Sequence, residues 1–267
     1  MEQGSPRPAA RSRRIAITVQ YDGSAFNGWQ AQLGGRTVQD EIEKAIRVLL
    51  KEETRVVASG RTDSGVHALG QVVHFNTDSD ISLQRLCIGM NGILPRDVAV
   101  VNGYDVPSDF HARFGPVERE YRYLIHNHPL RTPFMMYRAM WVQEKLDLKY
   151  LRAVAAYCTG EMDFSSFCKK REAKEKNTVR RIDRITVERE VDLIRIEIVG
   201  NAFLHNMVRI LVGTMLKMHR NSMEPESVGD ILAACDRESS GATAPPYGLY
   251  LVRVSYDPPL SSMKSAF

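Results

Sequence analysis

Arg14-Ile15-Ala16-Ile17-Thr18-Val19-Gln20-Tyr21-Asp22-Gly23 sets the frame for reading the 267-residue chain. Ile15, Ile17, Val19 and Tyr21 alternate with Ala16, Thr18 and Gln20, the period of a strand, and Asp22-Gly23 ends it. Thr37 then opens a helix: Val38, Ile42, Ala45, Ile46, Leu49 and Leu50 recur at helical spacing, and Thr37 with Asp40 makes a variant capping box. A short strand at Arg55–Ser59, a strand at Gln71–Phe75, a helix from Ser82 to about Met90 and a strand at Asp97–Val101 complete the order β-α-β-β-α-β.

The order recurs with longer connections. A strand runs through Glu120–His126, and Asp147 caps a helix through Leu148, Leu151, Val154 and Tyr157 that stops at Gly160. Arg184–Glu190 and Leu193–Val199 read as a hairpin. An apolar helix is predicted from Ala202 to about Met218, with Phe203, Met207, Ile210, Leu211 and Met215 inward. An extra helix over about Pro225–Ala234 and a strand at Leu249–Tyr256 follow. The expected fold is α+β, two tandem ferredoxin-like halves over residues 14–110 and 111–257 around a central cleft. Residues 1–13 read as a disordered basic tail and 258–267 as a frayed one.

Charge is uneven. Lys and Arg total 36 and Asp and Glu 32, a net +4. Arg7, Arg11, Arg13 and Arg14 stand against Glu2 alone in the first fourteen residues, so the remaining 253 carry only +1. Within that near-neutral body, Lys169, Lys170, Arg171, Lys174, Lys176, Arg180, Arg181 and Arg184 face Glu172, Glu175 and Asp183, a local +5 without apolar periodicity at its start. It reads as a mobile loop, either solvated or facing phosphates. No run approaches the ~18–20 apolar residues of a membrane helix, and no apolar secretory signal core is present. Cys87, Cys158, Cys168 and Cys235 form no Cys-x-x-Cys pair, which disfavours structural zinc and fits reduced, mostly buried thiols in a cytoplasmic compartment.

The sharpest local feature is Gly60-Arg61-Thr62-Asp63-Ser64-Gly65-Val66-His67-Ala68, a polar loop between apolar strands. Two glycines flank one carboxylate and one guanidinium. Asp63 can serve as nucleophile or base with Arg61 as electrostatic partner, or the two can simply staple a turn. His67 also reads as a satisfied core residue. Arg209 lies among Met207, Ile210 and Leu211, where a guanidinium requires a partner or snorkels at the helix edge.

This loop resembles the catalytic motif of the TruA family of tRNA pseudouridine synthases, and the resemblance runs from about Arg14 to Tyr256. It includes Tyr21-Asp22-Gly23, Gly28-Trp29-Gln30, Gly70-Gln71-Val72-Val73-His74-Phe75 and Asp109-Phe110-His111-Ala112-Arg113. Arg119-Glu120-Tyr121-Arg122-Tyr123, Asn201-Ala202-Phe203-Leu204-His205-Asn206-Met207-Val208-Arg209 and Thr243-Ala244-Pro245-Pro246-Tyr247-Gly248-Leu249-Tyr250-Leu251 follow in the family's order. The resemblance implies the pseudouridine synthase fold and makes Asp63 the essential aspartate of uridine isomerisation. It makes Arg61 the residue that helps extrude the base, Tyr121 the ring that stacks on uracil, Arg209 the partner of Asp63, and Leu249 an apolar wall of the base pocket. Tyr123 reads as packing. Lys169, Lys170, Arg171, Lys174 and Arg180, with His111 and Arg113, become candidate RNA contacts. The implied substrate is tRNA at uridines 38 to 40 of the anticodon arm, bound by a cytoplasmic homodimer without metal or small-molecule cofactor. The alternatives are a non-catalytic RNA-binding module and a small-molecule hydrolase using Asp63.

Overall fold

In β1 (Arg13–Tyr21) the alternating apolar residues Ile15, Ile17, Val19 and Tyr21 are all buried, as their spacing predicts. The computed structural model describes residues 12–175 and 177–267. The basic tail therefore lies outside the described residues apart from Ser12 and Arg13, and Arg13 already belongs to β1. Lys176 lies outside them as well.

The first half continues with α1 (Val38–Leu50), β2 (Val57–Ala58), β3 (His67–Thr77), α2 (Leu83–Ile93) and β4 (Val98–Val106). Thr37 caps α1 by accepting from the Asp40 N–H, and Ile42, Ala45 and Ile46 form its buried face. The second half holds β5 (Pro116–Asn127), β6 (Met140–Val142), α3 (Leu148–Tyr157), β7 (Gly160–Asp163), α4 (Lys170–Glu175) and β8 (Val179–Glu190). It continues through β9 (Leu193–Gly200), α5 (Met207–Arg220), α6 (Val228–Ala233), β10 (Leu249–Tyr256) and β11 (Lys264–Ser265). Asp147 caps α3 through the Lys149 and Tyr150 N–H groups.

The eleven strands of the described residues form one mostly antiparallel sheet, ordered β11-β4-β1-β3-β10-β5-β9-β8-β7, with β2 against β3 and β6 against β5. Both halves therefore place their strands alike: β4-β1-β3-β2 in the first and β10-β5-β9-β8 in the second. The halves join through a short parallel seam, where Tyr250 pairs with His67 and Leu251 with Ala68. Two apolar cores lie on either side of it, and Tyr121 packs against both. Each fully buried aliphatic side chain in them contributes about 1.5–3 kcal/mol of transfer free energy.

Four expectations change. The helix predicted from Ala202 begins at Met207. Residues 202–206 are a loop, ending on Asn206 at φ +65°, so Phe203 is apolar for a reason other than a helix face. The basic stretch is not one loop: it comprises α4 and the start of β8. Its start shows no apolar period because α4 is six residues long and Ala173 is the one apolar residue in it. Residues 258–267 are not frayed, because β11 pairs with β4 through Lys264–Asp105 and Ser265–Tyr104. Finally, β3, β4 and β5 extend beyond their predicted limits. No helix among the described residues is long and apolar enough to cross a membrane.

Candidate active site

The loop between β2 and β3 rests on a bed made by the segment after β1. The Trp29 N–H donates to the Thr62 carbonyl (3.0 Å), the Gly65 N–H to the Phe26 carbonyl (3.3 Å), and the Val66 N–H to the Asp63 carbonyl (3.2 Å). Beneath it the Tyr21 and Thr62 hydroxyls bond at 2.8 Å. Glycine is needed twice in this bed. A Cβ on Gly23 would lie 2.0 Å from the Val66 carbonyl oxygen, and Gly28, at φ +92°, would place one 2.8 Å from the Thr62 oxygen.

Asp63 projects from this loop toward the segment leading into α5. Its Oδ1 accepts from His205 Nε2 at 2.9 Å and its Oδ2 from Arg209 Nη1 at 3.0 Å. Burial works to raise the Asp63 carboxyl pKa. The hydrogen bond and charge of His205, followed by those of Arg209, outweigh burial and hold it below the usual carboxylate range. Arg209 is thus paired, not snorkelling. Its Nη1 also donates to Asn206 Oδ1 (2.7 Å) and its Nε to the Ala244 carbonyl (2.7 Å), fixing the guanidinium on three sides.

Asp63 faces an open cleft of about 1450 Å³. One wall is apolar: Tyr121, Phe203 and Leu249 line it, and the Tyr121 ring meets Phe203 edge-on at 5.2 Å and 83°. Burial pushes the Tyr121 hydroxyl pKa up to about 12, with Arg119 opposing and the Asp63 charge adding to the rise. The rim is cationic, with Arg61, Arg113, Arg119, Lys169, Arg171 and Arg180. Arg61 is exposed and takes no hydrogen bond or ion pair among the described residues.

Asp63, Arg61, Tyr121, Arg209, Leu249, Arg113, Lys169, Arg171 and Arg180 therefore meet around one cleft. Three candidate RNA contacts do not line it. Lys170 turns to Glu238 (2.5 Å) and Asp236 (3.7 Å). Lys174 is exposed elsewhere on α4. His111 Nδ1 accepts the Arg113 N–H at 3.2 Å, closing its own turn. Tyr123 is packing, fully buried with its hydroxyl donating to the Pro245 carbonyl at 2.8 Å. His67 is a satisfied core residue: its Nδ1 accepts the Gly23 N–H at 3.1 Å and its Nε2 faces the Tyr137 and Tyr247 carbonyls at 2.9 and 3.1 Å.

Two cleft residues escaped the sequence reading. His205 lies within the stretch that carries the resemblance but drew no role; its Nε2 meets Asp63 across 142 residues. Arg119, half-buried, donates to the Asn201 carbonyl (2.6 Å) and the Arg113 carbonyl (3.3 Å). The four cysteines are free thiols, three of them buried. No group of His, Cys, Asp and Glu among the described residues is arranged to hold a metal ion.

A family model described as tRNA pseudouridine synthase matches residues 17–115 and 153–257. The tRNA pseudouridine synthase A of Bacillus subtilis is 44% identical over 247 residues, covering 91% of this chain and 99% of its own. Its counterpart from Paraburkholderia xenovorans is 43% identical over 244 residues, with coverage of 91% and 90%. That of Methylococcus capsulatus is 42% identical over 243 residues, with coverage of 91% and 89%.

Proposed function

Since this chain belongs to the tRNA pseudouridine synthase family and is an isomerase acting on tRNA, we propose that Asp63 is the carboxylate that carries the isomerisation. The observation behind this reading is one ionised carboxylate, held by Arg209 and His205, inside a cleft whose other charges are almost all positive. Phosphate binding alone gains nothing from a carboxylate there, since it repels RNA. Chemistry on uridine does require one.

In the reaction the N1–C1′ bond of the uridine breaks, the uracil turns, and a C5–C1′ bond forms. C5 loses its proton and N1 gains one, so the atoms balance without an oxidant, reductant or phosphoryl donor. Asp63 acts on the uridine as nucleophile or base while this occurs. A stacked base is out of reach, so it has to be flipped at a cost of a few kcal/mol. Arg61, exposed at the mouth, fills the space that the base leaves. Tyr121 offers a flat face on which uracil is held and still turns, and Leu249 closes the pocket beside it. Lys169, Arg171, Arg180 and Arg113 take phosphates along the rim.

The finer assignments belong to the same proposal. The two halves are ferredoxin-like repeats, a reading supported by their common strand order. The target uridines are positions 38 to 40 of the anticodon arm, and the working form is a cytoplasmic homodimer with tRNA touching both subunits.

The test is direct mapping of pseudouridine in unmodified tRNA incubated with the wild type or with Asp63→Asn. The expected result is modification within the anticodon arm by the wild type, and none by a variant that still binds tRNA. Turnover near wild type by Asp63→Asn overturns the assignment, and modification elsewhere overturns the positional one.

A further inference from the structure

Each Asp63 oxygen has its own partner, and the two partners differ in kind. Arg209 is a permanent cation, anchored on Asn206 and the Ala244 carbonyl. His205 is an imidazole on the loop before α5, with 43% of its side chain exposed. Among the described residues it is the only imidazole lining the cleft.

We propose that His205 is a positioning residue for Asp63: its Nε2–H holds Oδ1 of the carboxylate while Arg209 holds Oδ2, and this second hold sets the direction from which the carboxylate meets the uridine. The inference rests on the reading of Asp63 as the acting carboxylate.

Both partners emerge from one short stretch, His205 just before α5 and Arg209 in its first turns. Between them they fix the carboxylate on both oxygens and restrict its rotation. Without the Nε2–H at 2.9 Å, Oδ1 would lose its side-chain donor and the carboxylate could turn about its one remaining contact, with Arg209.

The test is the single-turnover rate of pseudouridine formation by the full-length protein on unmodified tRNA, beside tRNA Kd and thermal melts. His205→Ala is expected to lose about tenfold or more in rate, with Kd changed less than about threefold. His205→Gln places a neutral N–H donor near the position of Nε2 and is expected to recover part of that loss. If His205→Ala keeps the wild-type rate, or His205→Gln melts as the wild type does and recovers nothing, the proposal is overturned. Should His205→Ala melt early, the rate of His205→Gln decides alone. Asp63→Asn is measured alongside: an active Asp63→Asn overturns the underlying reading, whereas an inert one leaves it standing whatever His205 does.

Discussion

Arg209 Nη1 and Asp63 Oδ2 form a 3.0 Å ion pair that joins the two halves of the chain across 146 residues of sequence. Arg209 is 14% exposed and Asp63 29%, so water screens the pair only partly. Replacing Arg209 by Met leaves the Asn206 side chain and the Ala244 carbonyl without their donor and removes one of the groups that lower the Asp63 pKa. The expected cost is about 1–2 kcal/mol of stability, less than for a fully buried pair. Pseudouridine formation is expected to fall at least tenfold, because Asp63 loses its fixed orientation. A urea titration and a single-turnover assay check the two effects separately.

Tyr121 gives a different signature. Stacking of a base on an aromatic ring is worth about 1–3 kcal/mol. Tyr121→Ala should slow pseudouridine formation by about one to two orders of magnitude while tRNA affinity, set by rim cations, changes little. Tyr121→Phe keeps the ring and should retain more activity than Tyr121→Ala. Equal rates in all three proteins would remove the stacking role.

The geometry divides the basic stretch into two classes. Lys169, Arg171 and Arg180 line the cleft, whereas Lys170 pairs with Glu238 and Lys174, though exposed, is not part of the lining. Each phosphate neutralised contributes about 0.7–0.9 to the slope of log K against log salt. Changing Lys169, Arg171 and Arg180 to Gln should therefore lower that slope by about two. Changing Lys170 and Lys174 should leave it within about half a unit. Filter binding of tRNA at 50–300 mM salt measures both.

Gly23→Ala tests the bed beneath the loop. The added methyl would meet the Val66 carbonyl at 2.0 Å, and that atom is backbone, so the loop itself has to move. A destabilisation of about 1–3 kcal/mol and a rate loss larger than for a surface Gly→Ala are expected. Gly229, which has open space around it, is the control.

Acid sensitivity should arise in part at His74. Its Nδ1 accepts the Ala112 N–H at 3.1 Å, and burial, helped by Arg14 and His111, lowers its pKa to about 4. The unfolded chain, with an imidazole near 6.5, binds the proton first as pH falls. Stability therefore declines from about pH 6.5 downward, and the whole contribution is gone below about pH 4. His67, also lowered chiefly by burial, adds to the same slope. His74→Asn keeps an acceptor for Ala112 and should flatten the dependence of urea stability on pH between 7 and 5.

Much of this was readable from local pattern. The alternation in β1, the Thr37 and Asp147 caps and the Leu249–Tyr256 strand are properties of a few adjacent residues, and each is present. The start of α5 was not readable, because Phe203 keeps helical spacing with Met207 and Ile210 while packing on Tyr121 from a loop. Asn206 in the left-handed region carries no apolar signal at all. The Asp63–His205 contact depends on how two halves dock, which no local period encodes. Nor does a charge count say that Lys169 faces the cleft and Lys170 faces Glu238, since that is decided by the direction of one short helix. The edge pairing of residues 264–265 is likewise set by β4, not by their own composition.

The parallel seam between β3 and β10 has a consequence for how the protein is made. During synthesis the Asp63 loop emerges early and Arg209 much later, and β10 follows both. β10 pairs with His67 and Ala68, four and five residues past Asp63, so the last long strand to be made borders the loop that carries the carboxylate. Until that last long strand has left the ribosome, the Asp63 loop lacks the neighbour that borders its C-terminal end.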